Sequence, residues 1–201
     1  AEFASQAGVD ALTFLRDMAV DDKSVYLDQT DTNATPLFAS DRVAMMTAPP
    51  WALYDIGLTG TEYGVTVLPG FNGDHETISG PDLWVLFDHQ DVNRAYWSFE
   101  LTRWLTDPAQ DLKVNVGYGN LPLRAVETDT PEYLTQAQSL PGFDALAKNL
   151  VNATKVRPTI PGYAPLSEAV GQAIASVLQG QGDPKTALDS AARTADQAVA
   201  D

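Results

Sequence analysis

Cysteine is absent from the 201 residues, which excludes disulfides, thiolate metal ligands and cysteine nucleophiles but leaves the compartment open. Positive charge is scarce. Twelve Lys and Arg against 27 Asp and Glu give a formal charge of -15, which opposes binding to nucleic acid or to an anionic membrane surface and suits a neutral or cationic ligand. The two histidines, His75 in a turn sequence and His89 before a helix cap, are too isolated to suggest a metal site or a catalytic triad. No run of about 18 apolar residues is available to span a bilayer, and the amino terminus has no basic region followed by an apolar core. A phosphate loop and a full dinucleotide fingerprint are also missing, which leaves nucleotide binding with little support. No catalytic residue, metal ligand or cofactor is assigned. The length still allows a sizeable core, in one domain or two small ones.

The apolar residues that are present fall into short runs and helical stripes. Ala7, Ala11, Phe14, Leu15, Met18 and Ala19 recur at helical spacing from Gln6 to Val20, which predicts a one-sided helix. Residues 21–35 read as a loop, with Pro36 opening a short helical turn. Val43-Ala-Met-Met46 is too short and apolar for a helix and reads as a buried strand. Pro49 and Pro50 then force the backbone out of the sheet, at the kind of strand end where ligands sit in open α/β sheets. Trp51 is delivered there, either as a flat face for a ligand or packed on the next helix, a short one from Ala52 to Ile56 ending at Gly57.

Tyr63-Gly-Val-Thr-Val-Leu-Pro69 alternates as a strand does, and Asn72-Gly-Asp-His75 reads as a turn. Ser79-Gly-Pro-Asp-Leu-Trp84 leads into a second short buried strand, Val85-Leu-Phe87. Gly80 permits close approach, Asp82 offers two acceptor oxygens and Trp84 a second apolar face, although a strand entry with a turn-forming aspartate needs the same residues.

Asp91 caps a helix that runs to about Leu105 and is apolar on two sides, which predicts that it is mostly buried, with Trp97 and Trp104 in the core. Thr106-Asp-Pro108 breaks it. Val116-Gly-Tyr-Gly-Asn-Leu-Pro-Leu-Arg124 reads as a loop from which Tyr118 and Arg124 either reach a site or point into solvent. Residues 131–150 are helical with a break at Pro141-Gly142, and the proline-punctuated Arg157–Tyr163 segment is of the kind that crosses between units. Two helices close the chain. The first carries Leu166, Val170, Ala173, Ile174, Val177 and Leu178 and stops at Gly180; the second is capped by Asp183, opens at Pro184, and carries Ala187, Leu188, Ala191, Ala195 and Val199.

Taken in order, these features resemble the carboxy-terminal half of the extracellular solute-binding proteins that serve ABC sugar importers, the maltodextrin-binding type. The resemblance is carried by the helix around residues 10–19, by Phe38-x5-Ala-Met45 leading to Pro50-Trp51, by Tyr63–Pro69, by Gly80-Pro-Asp-Leu-Trp84, by Trp104-Leu-Thr-Asp-Pro108, by Gly117-Tyr-Gly-Asn-Leu-Pro-Leu-Arg124 and by the paired closing helices. It covers nearly the whole chain. It implies an α/β, periplasmic-binding-protein-like two-lobed fold, with residues 1–78 and 127–201 in the carboxy-terminal lobe and 79–126 in the crossover and part of the amino-terminal lobe. The implied protein closes on a di- or oligosaccharide, hands it to ABC permease transmembrane subunits and performs no chemistry.

By the same resemblance the ligand-binding residues are Trp51, Gly80, Pro81, Asp82, Trp84, Tyr118, Asn120 and Arg124. Leu166, Ser167 and Glu168 stand where the maltodextrin type has stacking aromatics, so long maltodextrins are disfavoured and Tyr163 is the substitute. Hinges are expected near residues 68–80 and 117–124. Family members are about twice this length, so the amino-terminal half is expected as a further partner, together with an extracellular or periplasmic location and a lipidated amino terminus outside this chain. A binding protein for a glycerol phosphate compound is the alternative ligand reading, and a glycoside hydrolase fragment, which would need a carboxylate pair flanking the sugar, is the enzymatic one.

Overall fold

The structure, a computed structural model, describes residues 1–27, 31–70, 73–80 and 82–200. It divides into two compact units, one of residues 1–32 with 157–201 and one of residues 33–156. The chain passes from one to the other at the Arg157 segment, where the prolines signal a crossing.

In the first unit, α1 (Gln6–Arg16) continues as a π-helical turn, Asp17–Asp21. Its extent agrees with the sequence pattern, but its inner face does not. Leu12 and Ala19 are buried while Phe14 and Leu15 face outward, because the face is chosen by the helices it packs on. Those are α8 (Tyr163–Leu178) and α9 (Pro184–Ala200), which form an antiparallel pair. Gly180, at φ +74°, ends α8 in the left-handed conformation that an L side chain resists. Asp183 then caps α9, its Oδ2 accepting from the Thr186 amide and hydroxyl, both at 2.9 Å. Those two bonds hold the Asp183 carboxyl below the usual carboxylate range, the amide contributing first. Leu12, Val177 and Leu188 meet at the centre, with Phe3, Val9, Ile174 and Ala187 around them.

The second unit is built on a different core, Leu53, Val116, Tyr133, Leu140 and Phe143. α2 (Asp31–Ala39) leads into it; it starts before the expected turn and carries Pro36 inside. α3 (Ala52–Leu58) supplies Leu53, and α4 (Val92–Leu105) follows, capped by Asp91 accepting from the Asn93 and Arg94 amides. A three-residue turn, α5 (Pro108–Gln110), and a π-helical turn, Asp111–Asn115, lead to Val116. α6 (Pro131–Ser139) and α7 (Phe143–Asn149) are separated by the break at Pro141-Gly142 and supply Tyr133 and Phe143, whose rings lie 5.9 Å apart. Gly142 permits that break: at φ +83°, its missing Cβ would lie 2.3 Å from Val65.

The expected strands are the principal correction. Among the described residues the only β pairing is a single parallel bridge between Ile78 and Lys155. Residues 43–46 and 85–87 form no regular element, and Met45, Val85, Leu86 and Phe87 are exposed. Tyr63, Val65 and Val67 do turn inward at every second residue, Tyr63 and Val65 onto the core, but no neighbouring strand completes a ladder. α4 is a second correction. Its limits are as expected, but none of its residues is buried, and Trp97 and Trp104 are 68% and 55% exposed. An apolar stripe buries itself only against a surface, and among the described residues of this unit none covers it.

Phe143 is fully enclosed, so Phe143→Ala is expected to destabilise the second unit by about 3–5 kcal/mol. Urea unfolding of the two proteins side by side checks this; a loss below about 1 kcal/mol contradicts the core described here.

Candidate functional site

The site is built from two turns that share one core. Pro49 and Pro50 bring the chain into α3 through tight turns, with the Ala52 and Leu53 amides donating to the Pro49 and Pro50 carbonyls, each at 3.1 Å. Ala52, Leu53 and Ile56 bury one side of α3. Trp51 and Tyr54, three residues apart and so on one helical face, are left on the outside, with Trp51 54% exposed. A half-exposed Trp51 fits both sequence readings, a face for a ligand and a surface tryptophan packed on the next helix.

Val116 reaches the same core as Leu53 and anchors the second turn. Val116–Tyr118 is a short 3-10 turn, after which Gly119 adopts φ +84° and ψ 11°. Gly119 is pressed against the first turn: a Cβ on it would lie 3.2 Å from Trp51 Cα, 3.4 Å from Tyr54 Cβ and 3.5 Å from the Pro50 carbonyl oxygen. Gly119, the residue after Tyr118, thus lies against Trp51, and Tyr118 is 66% exposed. Asn120 is half-buried and donates its amide to the Asn115 carbonyl, while the Asn115 side chain donates to the Leu121 carbonyl at 3.0 Å.

Arg124 is engaged in holding this loop. Nη1 pairs with Glu127 Oε1 at 2.9 Å, and Nη2 donates to the Thr106 carbonyl at 2.7 Å, where α4 ends. Two carboxyls lie beneath it, Asp111 and Glu127, each 2% exposed. Asp111 Oδ2 accepts from the Leu123 amide at 2.8 Å. Burial, and then the neighbouring Asp111, push the Glu127 carboxyl above the usual range, against the opposing pull of Arg124.

The other expected residues lie elsewhere. Gly80, Asp82 and Trp84 are on an exposed extended segment, and Pro81 lies outside the described residues. Among the described residues, no hydrogen bond or ring contact joins that segment to Trp51 or Tyr118. Its near end is fixed at Ile78 by the bridge to Lys155, whose ammonium pairs with Glu76 at 2.5 Å. Tyr163 belongs to the first unit, where it is half-buried at the start of α8.

Sequence reasoning missed Tyr54, which the three-residue spacing from Trp51 signalled, and the role of Gly119 as the contact with Trp51. It also missed Asp111 and Glu127, for which a chain with 27 acidic residues offers no local signal. Chemically, two exposed aromatic faces on a fixed backbone, with a half-buried amide beside them, suit the binding of a small molecule with both apolar and hydroxylated surfaces.

The chain was compared with known proteins. A family model described as bacterial extracellular solute-binding protein matches residues 2–142. The sn-glycerol-3-phosphate-binding periplasmic protein UgpB of Brucella abortus (strain 2308) is 26% identical over 211 residues, covering 99% of this chain and 47% of that protein. A binding protein of the same strain is 26% identical over 163 residues, 80% of this chain and 38% of its own length. The chain thus spans less than half the length of these curated relatives.

Among solved structures, the maltose-maltodextrin binding protein of Alicyclobacillus acidocaldarius superposes with a TM-score of 0.75 at 19% identity, over 96% of this chain and 51% of that one. Maltose-bound MalE3 of T. maritima gives 0.76 at 19% identity over the same shares. The fold is therefore that of about half of a maltose-binding protein, a likeness that extends to segments lacking strand partners here.

Gly119→Ala is expected to cost about 1–2 kcal/mol, because an L side chain resists the left-handed conformation and the new methyl group meets Trp51. In a background where Trp84, Trp97 and Trp104 are phenylalanine, the emission of Trp51 should shift as well. Unchanged stability and emission would show that the two turns are not in contact.

Proposed function

The chain belongs to the bacterial extracellular solute-binding proteins, and on that premise we propose that it is the ligand-contacting part of the substrate-binding component of an ABC importer, which binds a di- or oligosaccharide. The observation that carries this reading is the contact of Gly119 with Trp51, which joins the two turns that carry the exposed Trp51 and Tyr118. A pyranose ring presents axial C–H groups on one face and hydroxyls at its edge, so Trp51 and Tyr118 take the face and Asn120 an edge hydroxyl. The acidic balance of the chain and the engagement of Arg124 with Glu127 and Thr106 both favour a neutral ligand. In this reading Arg124 acts as a tie within the loop. Gly80, Pro81, Asp82, Trp84 and Tyr163 are further ligand-binding residues in this reading.

A second reading is favoured by one specific finding, the name of the UgpB relatives, which are described as binding sn-glycerol 3-phosphate. That ligand needs a cation that Arg124 does not offer in its present bonding.

The protein as a whole is proposed to be extracellular or periplasmic and tethered through a lipidated amino terminus. It would have two lobes, residues 1–78 and 127–201 in one and 79–126 in the other, which close on the ligand and present it to a permease. The remainder of the protein supplies the sheet neighbours that residues 43–46, 63–69 and 83–87 lack and covers the apolar side chains of α4. Support comes from the exposure of Leu83, Trp84, Val85 and Phe87 together with Tyr96, Trp97, Phe99 and Trp104, a larger apolar surface than a solvated monomer ordinarily leaves open. It comes also from the share of the maltose-binding structures, about half, that this chain matches.

Two measurements test the proposal. Titration of the full-length protein with maltose, longer maltodextrins and sn-glycerol 3-phosphate, followed by calorimetry, should give saturable binding to one sugar class, weakened at least about tenfold by Trp51→Ala, in the range of a buried aromatic contact. Binding of sn-glycerol 3-phosphate alone would select the second reading, and no binding to the folded protein would overturn both. Separately, the 201-residue chain on its own should self-associate and bind a hydrophobic dye, both suppressed in the full-length protein.

A further inference from the structure

Buried acids outside the aromatic platform have no part in the proposed binding, yet one of them is incompletely satisfied. Glu127 Oε1 is held by Arg124, but Oε2 is buried without a hydrogen-bond donor. The neighbouring carboxyl is Asp111, itself buried and accepting through Oδ2 from the amide of Leu123, the residue before Arg124. Two carboxylates are both acceptors, so they bond to one another only when one carries a proton.

We infer that Asp111 and Glu127 share a single buried proton and that this bond positions the Gly117–Arg124 loop, whose Gly119 lies against Trp51. The inference rests on the reading of that aromatic pair as the ligand platform. Asp111 is linked to the loop by the Leu123 amide and Glu127 by Arg124, and Arg124 is linked in turn to the end of α4. With the proton in place, the four groups form a closed set. When the proton leaves to solvent, two negative charges remain in one buried site with a single guanidinium between them and water, and the set opens by turning a carboxylate outward.

The charged groups acting on Glu127 are Asp111, from the π-helical turn, and Arg124, from the loop. Among the remaining titratable groups on the elements packed here, Lys113, Asp129 and Glu132 are exposed, and the buried Tyr133 phenol is raised by burial and stays neutral. The folded-state preference of Glu127 for its proton lies above its unfolded value, so the stabilisation is complete below the ordinary glutamate range and is lost as pH rises through the raised range. This is opposite in sign to the Asp183 cap, whose contribution is lost as pH falls.

Hydrogen exchange on the full chain between about pH 4 and about pH 9 tests the inference, read as protection factors at Leu123, Gly119 and Asn120 so that intrinsic exchange rates cancel. In the wild type, protection at these amides should fall by up to about tenfold per pH unit where Glu127 ionises. Glu127→Gln, whose amide donates to Asp111 without a titrating proton, should keep the protection and flatten the profile, and Glu127→Ala should lose it at every pH. Identical profiles for wild type and Glu127→Gln would overturn the proposal. If the variants fail to fold, carboxyl-carbon NMR of the wild type decides, since titration of Glu127 near the ordinary value of about 4.3 is incompatible with proton sharing. Maltose titration across the same pH range should show affinity falling in parallel in the wild type but not in Glu127→Gln. Absence of maltose binding overturns the ligand reading, and the exchange profile then still decides whether the proton is shared.

Discussion

Leu53 and Val116 meet in one core, and the arrangement of the aromatic residues at the candidate site depends on that contact. Leu53 is the third residue after a proline and Val116 the third before a glycine; both are fully or nearly fully buried. Once they are packed, Trp51 and Tyr118 are each two residues from a fixed point, and little backbone freedom remains between them. Gly119 then closes the gap because it lacks the atom that would occupy it. Rigid presentation of this kind lowers the entropy that a ligand must overcome on binding, which is how a site with few polar groups attains useful affinity.

The exposed apolar segments follow from a different constraint. Helices satisfy their own backbone, so α3, α4, α6 and α7 form wherever the local sequence favours them. A strand satisfies its backbone only through a neighbour, and its side chains need a layer on each covered face. Residues 63–67 show half of this: side chains alternate inward and outward, yet no ladder forms. Residues 83–87 show neither burial nor pairing. All the same, 96% of the chain superposes on about half of a maltose-binding protein.

How much was legible in the sequence follows the same division. Helix limits set by local chemistry were readable to the residue or nearly so: Asp91 at the start of α4, Asp183 at the start of α9, Gly180 at the end of α8. The faces those helices bury were not, since burial of Trp97 or Phe14 is decided by what lies opposite and periodicity carries no such information. Trp51 and Tyr118 were recognisable as candidates because prolines and glycines mark backbone that cannot continue a regular element. The contact of Gly119 with Trp51, which brings their turns together, joins residues 68 positions apart and has no local signature. The family resemblance was carried by the order of motifs along the chain, which survives even where the strands themselves do not form.

The acid pair at positions 111 and 127 shows why a costly arrangement is retained. Burying two carboxyls is expensive, and apolar residues of similar volume would commonly be as stable or more so. What an apolar pair would not provide is direction. Asp111 accepts from the Leu123 amide, Glu127 fixes the guanidinium of Arg124, and Arg124 reaches the carbonyl at the end of α4. Each of these bonds constrains an angle as well as a distance, and together they hold a loop that has two glycines. The hydrophobic core brings the two turns together, and the polar cluster determines how the second turn is oriented once it arrives.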